Sequence, residues 1–350
     1  MTDGLVRHSL SAAELAIIGS GVLPGPLITS LKRAIASRNI ALLEVIRRLS
    51  GPASPTGRMI GALWQELERR TDRGLAVLVS PQVGAWAEDT LRAEGRGDPV
   101  VLVAALGRRA SGGFRLDTGE PLRSHFGFDI AETMTSARWV VLCREALQLL
   151  AARHGRTAAS LTELITTIVP VNSPSPADAF SGTSGAAFGA VALSPPIGSA
   201  ELAAAFNHEL QHHVLAATQE IVALTEPDHP ARFAVPWRDD PRNAAATLQG
   251  IYAHAAICEF HRAEWRDGPT ADANANVAAY ALWRQATAQV LTMLLDSGAL
   301  TPAGRALAEA VGGRIFPLLT EAVPGWARQR AETELASRSV LSSSSVRYRG

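Results

Sequence analysis

The stretch Asn207-His208-Glu209-Leu210-Gln211-His212-His213 decides how the rest of the chain is read. It contains the pattern H-E-x-x-H as His208, Glu209 and His212. In a helix, positions i and i+4 lie on one face about one turn apart. Two imidazoles so spaced can grip one metal ion, with the Glu beside the first within reach of a metal-bound water. The flanks support a helix: Glu201-Leu-Ala-Ala-Ala-Phe206 leads in, and Val214 to Leu224 leads out. Both are rich in Ala and Leu and free of Gly and Pro, while Pro195-Pro196 and Gly198-Ser199 mark a start. The expectation is one helix over 199–224.

Working outward, a second helix is predicted over 243–262, carrying His254, Cys258 and His261 at i, i+4 and i+7. The connection between the two is dense in Pro and charge, Ala234-Val-Pro-Trp-Arg-Asp-Asp-Pro-Arg242. Beyond lie a long helix over 273–297, and a further one opened by Thr301 as N-cap with Pro302 at its first position and expected to stop at Gly312-Gly313. Upstream, helices are expected over 28–49, 56–71, 85–93, 139–153 and 160–168, with a capping box at Ser11 and Glu14. Leu75–Val79 and Val100–Ala104 suit buried strands or buried helical turns, and His125–Asp129 and Ala187–Ser194 read as short strands. His125 by itself reads as a partly buried structural residue. The Ser181–Ser184 loop is a candidate for lining the metal site. The fold class is therefore mainly α with a few short β-strands (α+β), the metal site lying between the H-E-x-x-H helix and a following helix. The expected division is a mostly helical part over 1–170, a metal-binding catalytic part over 171–338, and a disordered tail over 339–350.

Composition bounds the function classes. Apolar residues make up 47% and charged residues 19%, enough to bury a large core. Net charge is zero, so bulk electrostatics suggest neither a nucleic-acid nor a membrane partner. Lys32 is the single lysine, and the abundance of Arg looks like a coding bias, so no Arg is a functional signal by itself. Cys143 and Cys258 are far apart and form no C-x-x-C, which suggests a reducing compartment. No apolar signal core opens the chain, and the expected location is cytoplasmic.

A catalytic metal needs three protein ligands and an open position. Thr218 stands where a metzincin would place its third His, which excludes that class. The candidates are His254, Glu259 and His261, of which His254 is favoured because small neighbours allow close approach. His213 points off the ligand face and Cys258 reads as a small buried residue. Two chemistries suit such a site. In a zinc peptidase Glu209 is the general base for a metal-bound water. In an iron(II) oxygenase the open positions take 2-oxoglutarate and O₂. Spacing alone favours the peptidase.

Four blocks alter that order: Phe188-Gly-Ala-Val-Ala-Leu-Ser194, His208-Glu-Leu-Gln-His212, Val235-Pro-Trp-Arg-Asp-Asp-Pro-Arg242 and Leu248-Gln-Gly-Ile-Tyr-Ala-His254. Together they resemble the H-E-x-x-H family associated with ribosomally made, modified peptides, over about 180–305, including Gly298-Ala-Leu-Thr-Pro-Ala-Gly-Arg305. Members of that family act as iron- and 2-oxoglutarate-dependent peptide β-hydroxylases, some fused to a radical-SAM enzyme. The resemblance implies His208 and His212 as iron ligands and points to His254 as the third. It implies Fe(II) and 2-oxoglutarate as cofactors, with zinc the alternative, and a precursor peptide as partner beside other enzymes of a biosynthetic cluster. Val214 departs from the family's frequent Lys, and the absence of a C-x-x-x-C-x-x-C cluster implies a stand-alone hydroxylase. The distal carboxylate of 2-oxoglutarate needs a cationic anchor, for which Arg238 and Arg242 are the candidates. Pairing of these two with Asp239 and Asp240 is the competing assignment. In this reading Glu209 orients a ligand, a water or the substrate, and the peptide lies under the Pro170–Ser184 loop.

Overall fold

Runs of β-branched and small apolar residues form the sheet, and the Ala- and Leu-rich segments form everything around it. The computed structural model describes residues 8–69, 71–101, 114–127, 134–173, 179–196 and 198–346. The chain divides into two units that do not follow chain order: one of residues 1–24, 150–157 and 206–350, the other of 25–149 and 158–205. The boundary expected near 170 falls inside the second unit.

In the second unit, α2 (Gly25–Ser50) packs with α3 (Pro55–Arg69), α4 (Thr71–Leu78) and α5 (Pro81–Arg92). Leu43, Ile46, Ile60, Val83 and Trp86 fill the core they share. The sheet has the order β1-β2-β4-β3, from β1 (Arg115–Leu116), β2 (Thr167–Pro170), β3 (Ser181–Thr183) and β4 (Ala190–Leu193). The β1–β2 and β2–β4 pairs are parallel and β3–β4 is antiparallel. Every residue of β2 and β4 is buried, as expected for parallel strands covered on both faces. Gly84 makes one close approach possible, because a Cβ there would lie 1.9 Å from the Ala186 carbonyl oxygen.

The expected mainly helical α+β class is observed. Of the two conformations open to Leu75–Val79, the helical one is observed through Leu78; a short apolar run carries no period that separates a strand from a buried helical turn. The strand expected at His125 is replaced by the short helix α6 (Leu122–Phe126), closed by Gly127 at φ 68°. Residues 102–104 and 128–129, within the segments read at 100–104 and 125–129, lie outside the described residues. β2 forms where a helix had been expected to continue to 168; that helix, α8 (Gly155–Leu164), ends earlier. α7 (Ser136–Arg153) precedes it.

In the first unit, α1 (Ala12–Gly19) carries the expected capping box. α9 (Ser199–Gln219) holds the H-E-x-x-H motif, and α10 (Ala244–Asp267) starts at Asn243, whose side chain caps the Ala246 amide. α10 packs along α11 (Ala273–Asp296), and α1 packs on α12 (Pro302–Ile315). α12 runs through Gly312-Gly313 rather than stopping there, because the space Gly312 leaves is taken by the Phe316 ring. α13 (Gly325–Val346) is helical into the stretch expected to be disordered from 339. Among the described residues no helix is long and apolar enough to cross a membrane.

Glu321 ties this helical unit together. It accepts from Arg262 at 2.7 and 3.1 Å, and also from Arg266 and from the Tyr280 hydroxyl. The Arg262 hydrogen bonds are the main reason its carboxyl is held at about 2. A carboxyl lowered from 4.5 contributes stability above that value and loses it as the pH falls toward 2. Glu321→Gln should therefore cost about 1–2 kcal/mol at pH 7, allowing for screening at its exposed arginine partners. Urea denaturation of the two proteins should show that difference shrinking between pH 5 and pH 2.

Candidate metal centre

α9 and α10 run antiparallel through the site. Asn207 donates from Nδ2 to the Ala256 carbonyl at 3.0 Å, and His212 reaches Gln249 at 2.9 Å, so residue numbers rise on one helix as they fall on the other. The site grows from this pairing. His208 and His212, one turn apart on α9, bring their Nε2 atoms to 3.1 Å. Two nitrogens that share an ion at about 2.1 Å each, 90–110° apart, stand about 3.0–3.4 Å from one another. His254 lies across from them on α10, with its ring centroid 5.4 Å from that of His208 and nearly perpendicular to it; the His208–His212 separation is 4.8 Å.

Hydrogen bonds fix the tautomers. The Gln249 amide donates from Nε2 to Gln219 Oε1 at 2.9 Å, which turns its own oxygen toward His212 Nδ1. That oxygen only accepts, so Nδ1 of His212 carries the hydrogen and Nε2 is bare. His254 Nδ1 donates to the Gly250 carbonyl at 2.8 Å, leaving Nε2 of His254 bare in the same way. An outer partner that holds Nδ1–H and frees Nε2 is how metal-ligating imidazoles are oriented.

Electrostatics favour the neutral form of two of the three rings. Burial, and then the neighbouring imidazoles His212 and His254, hold His208 well below the ordinary range. Burial lowers His254 to about 4, against the Gly250 hydrogen bond and with help from His212 and Arg338. His208 and His254 are thus unprotonated at neutral pH, with lone pairs available to a cation.

The packing around His254 accounts for two of the sequence blocks. Trp237 stacks on its ring at 4.3 Å, and Trp283 of α11 lies against it at 4.7 Å. Trp237 can lie there only because residue 250 is Gly, where a Cβ would stand 2.4 Å from the indole nitrogen. Within Gln249-Gly250-Ile-Tyr-Ala-His254, then, Gln249 orients the His212 ring, the Gly250 carbonyl orients the His254 ring while its missing side chain admits the indole, and His254 is the third imidazole.

Glu209 is buried, with 2% of its surface exposed, and as the next residue after His208 it is turned about 100° around the helix. His213 is buried as well. Glu259 forms a fork with Arg314 at 2.9 and 2.7 Å, and His261 pairs with Asn276 at 2.9 Å. Cys258 is fully buried, and burial pushes its thiol up. Arg242 pairs with Asp240 at 2.8 Å and Arg238 approaches the same carboxylate at 3.6 Å, the loop-fixing arrangement for Asp240. The site's other cation is Arg338 of α13, far along the chain. It donates to the Pro236 carbonyl at 2.6 Å and to Glu334 Oε1 at 2.7 Å, lies 5.9 Å from the Trp283 ring centroid, and its charge bears on His254. No motif marks it.

As they stand, no three His, Cys, Asp or Glu side chains among the described residues form a closed metal-holding cluster. The donor set fits a metal in its paired Nε2 atoms and fixed tautomers, with His254 in ring contact beside them. No known protein-family model matches this chain, and no curated protein is detectably similar to it.

Proposed function

We propose that this chain is an Fe(II)- and 2-oxoglutarate-dependent β-hydroxylase of a residue in a ribosomally made precursor peptide, acting in the cytoplasm beside other enzymes of a biosynthetic cluster. The observation that carries it is the cluster of three imidazoles, His208, His212 and His254, two of them oriented through Nδ1 by Gln249 and Gly250. The four-block resemblance supports iron over zinc. With iron, 2-oxoglutarate and O₂ bound, the centre supplies the oxidising chemistry that puts oxygen on an unactivated C–H bond. The protein's part is to hold three imidazoles together and oriented, to keep water from the His254 side with Trp237 and Trp283, and to receive the co-substrate's distal carboxylate.

We assign that last role to Arg338, whose charge bears on His254; like Arg238 and Arg242, which engage Asp240, it also pairs with a carboxylate, Glu334. Arg338→Gln should raise the KM for 2-oxoglutarate about 10–100-fold, the cost of one charge-assisted contact. Iron stoichiometry should stay unchanged, and Arg242→Gln should shift KM less than threefold or so. Steady-state kinetics with metal analysis checks both; an unchanged KM in Arg338→Gln removes the assignment.

The zinc peptidase is the second reading, favoured by the motif alone. Anaerobic loading with Fe(II), followed by O₂, 2-oxoglutarate and the peptide encoded beside the gene, separates the readings. A peptide heavier by one oxygen atom, with succinate formed, supports the hydroxylase. Peptide cleavage with zinc and without 2-oxoglutarate overturns it. A protein that binds the peptide but no metal is a non-catalytic partner.

A further inference from the structure

The second unit holds a relay of three side chains drawn from three separate stretches of chain. His125 of α6 lies with Nδ1 3.0 and 3.1 Å from the two carboxylate oxygens of Asp89 on α5. Its Nε2 lies 2.8 Å from the Ser184 hydroxyl, just past β3. The carboxylate only accepts, so Nδ1 carries the hydrogen; in the neutral ring Nε2 is then bare and the Ser184 hydroxyl donates to it. The Ala186 amide donates to the same hydroxyl oxygen at 3.2 Å, which occupies a lone pair and leaves the proton directed at His125. Arg92 donates to Asp89 at 2.8 Å.

The order and polarity are those of an acid–base–nucleophile relay, in which a carboxylate orients an imidazole and the imidazole takes a hydroxyl's proton. Burial runs in the matching direction. The His125 side chain is 4% exposed, while Ser184 is half-buried and followed by an exposed Gly185. A simple tether between two loops would need one hydrogen bond. Here the imidazole is held at both nitrogens, and the reactive atom sits at the end nearer solvent. Gly182-Thr-Ser184-Gly-Ala186 falls one residue short of G-x-S-x-G, so the relay is visible only in space.

We propose that Ser184, activated by His125 and Asp89, is a nucleophile that accepts an acyl group from small activated carboxylic esters. Ser184 Oγ bonds to the ester carbonyl carbon as its proton passes to His125 Nε2. The bond to the leaving alcohol then breaks, and that alcohol departs with the proton from His125. Water, deprotonated by His125 in turn, releases the carboxylic acid and restores the hydroxyl. No electrons are exchanged with an outside partner, and water is the sole co-reactant. The inference is independent of the metal centre.

The test treats the full-length protein with a fluorophosphonate, which captures activated serines, and maps the adduct by mass spectrometry. The expected result is one adduct, on Ser184, absent from Ser184→Ala and formed at least about 100-fold more slowly in His125→Gln. Thermal melts establish that each variant folds; should His125→Gln fail to fold, Asp89→Asn, which keeps the volume and removes the fixed tautomer, takes its place. The native protein should also release 4-nitrophenol from 4-nitrophenyl acetate in a burst stoichiometric with enzyme. Absence of an adduct on Ser184 in the folded native protein, or a rate unchanged by the His125 or Asp89 variant, overturns the proposal and leaves the relay as a tether of α5, α6 and the β3–β4 connection.

Discussion

His254→Ala is expected to leave a folded protein that no longer retains a metal ion through dialysis. Two imidazoles one turn apart on α9 remain, and with their Nε2 atoms at 3.1 Å they can still meet a cation, but two neutral donors hold it weakly. Removing an outer partner of a metal ligand typically costs about 10–100-fold in affinity, and removing a ligand should exceed that. The fold should bear the change. The deleted ring leaves a space bounded by Trp237 and Trp283, an expected loss of about 2–3 kcal/mol. The Gly250 carbonyl that received its Nδ1–H remains within α10. His261→Ala is the control, because His261 sits farther along the same helix and is engaged with Asn276. Metal content by elemental analysis and affinity by calorimetry give the readout. Stoichiometric iron in His254→Ala would remove His254 from the ligand set, and a loss of metal in His261→Ala would put the third ligand in the wrong place. Gln249→Leu should fall between the two, since it keeps every imidazole but frees the tautomer of His212.

The parts of this centre that were legible in the sequence are those set by local periodicity. A Gly- and Pro-free segment around His208 and His212 forms a helix whatever surrounds it, and the i, i+4 spacing then fixes which residues share a face. Thr301 caps the helix its chemistry announces, accepting the amide three residues on. His254 required a guess about which face of α10 meets α9, settled on small neighbours. The functions of Gln249 and Gly250 were hidden although both residues stood in a recognised block, because each acts through a partner on another element: Gln219 and Trp237. Arg338 was invisible for the same reason, its relation to His254 depending on how α13 returns along α11. Arg238 and Arg242 looked like anchors by proximity in sequence, while Asp240, two residues away from each, claims them. At His125 the failure was of another kind, and at Leu75–Val79 the same cause left strand and helical turn both open. A run shorter than two helical turns has too few positions to show a period, and packing decides its conformation.

Gly304→Ala should destabilise the helical unit by about 3 kcal/mol, against the helix propensity that would make it stabilising by about 1 kcal/mol. Gly304 is the third residue of α12 after the Thr301 cap. A Cβ there would lie 1.7 Å from the Leu224 carbonyl oxygen and 2.7 Å from its carbon, both backbone atoms that cannot swing aside as a side chain can. That carbonyl is held in place from two directions. It accepts the Thr301 amide at 3.2 Å, while the Thr301 hydroxyl donates to Ala223 at 2.7 Å and the Glu226 amide donates to Ala299 at 2.9 Å. Moving Leu224 far enough to admit a methyl group breaks this strap between the exit of α9 and the start of α12, at about 1 kcal/mol for each lost hydrogen bond, on top of the overpacking. Gly313→Ala supplies the contrast within the same helix. Nothing lies within 4 Å of a Cβ at that position, so propensity acts alone and the substitution should be neutral or stabilising by up to about 1 kcal/mol. Urea denaturation of the two variants reads the difference directly. Equal stability would mean that Leu224 yields without cost and that the strap does not hold the two helices together.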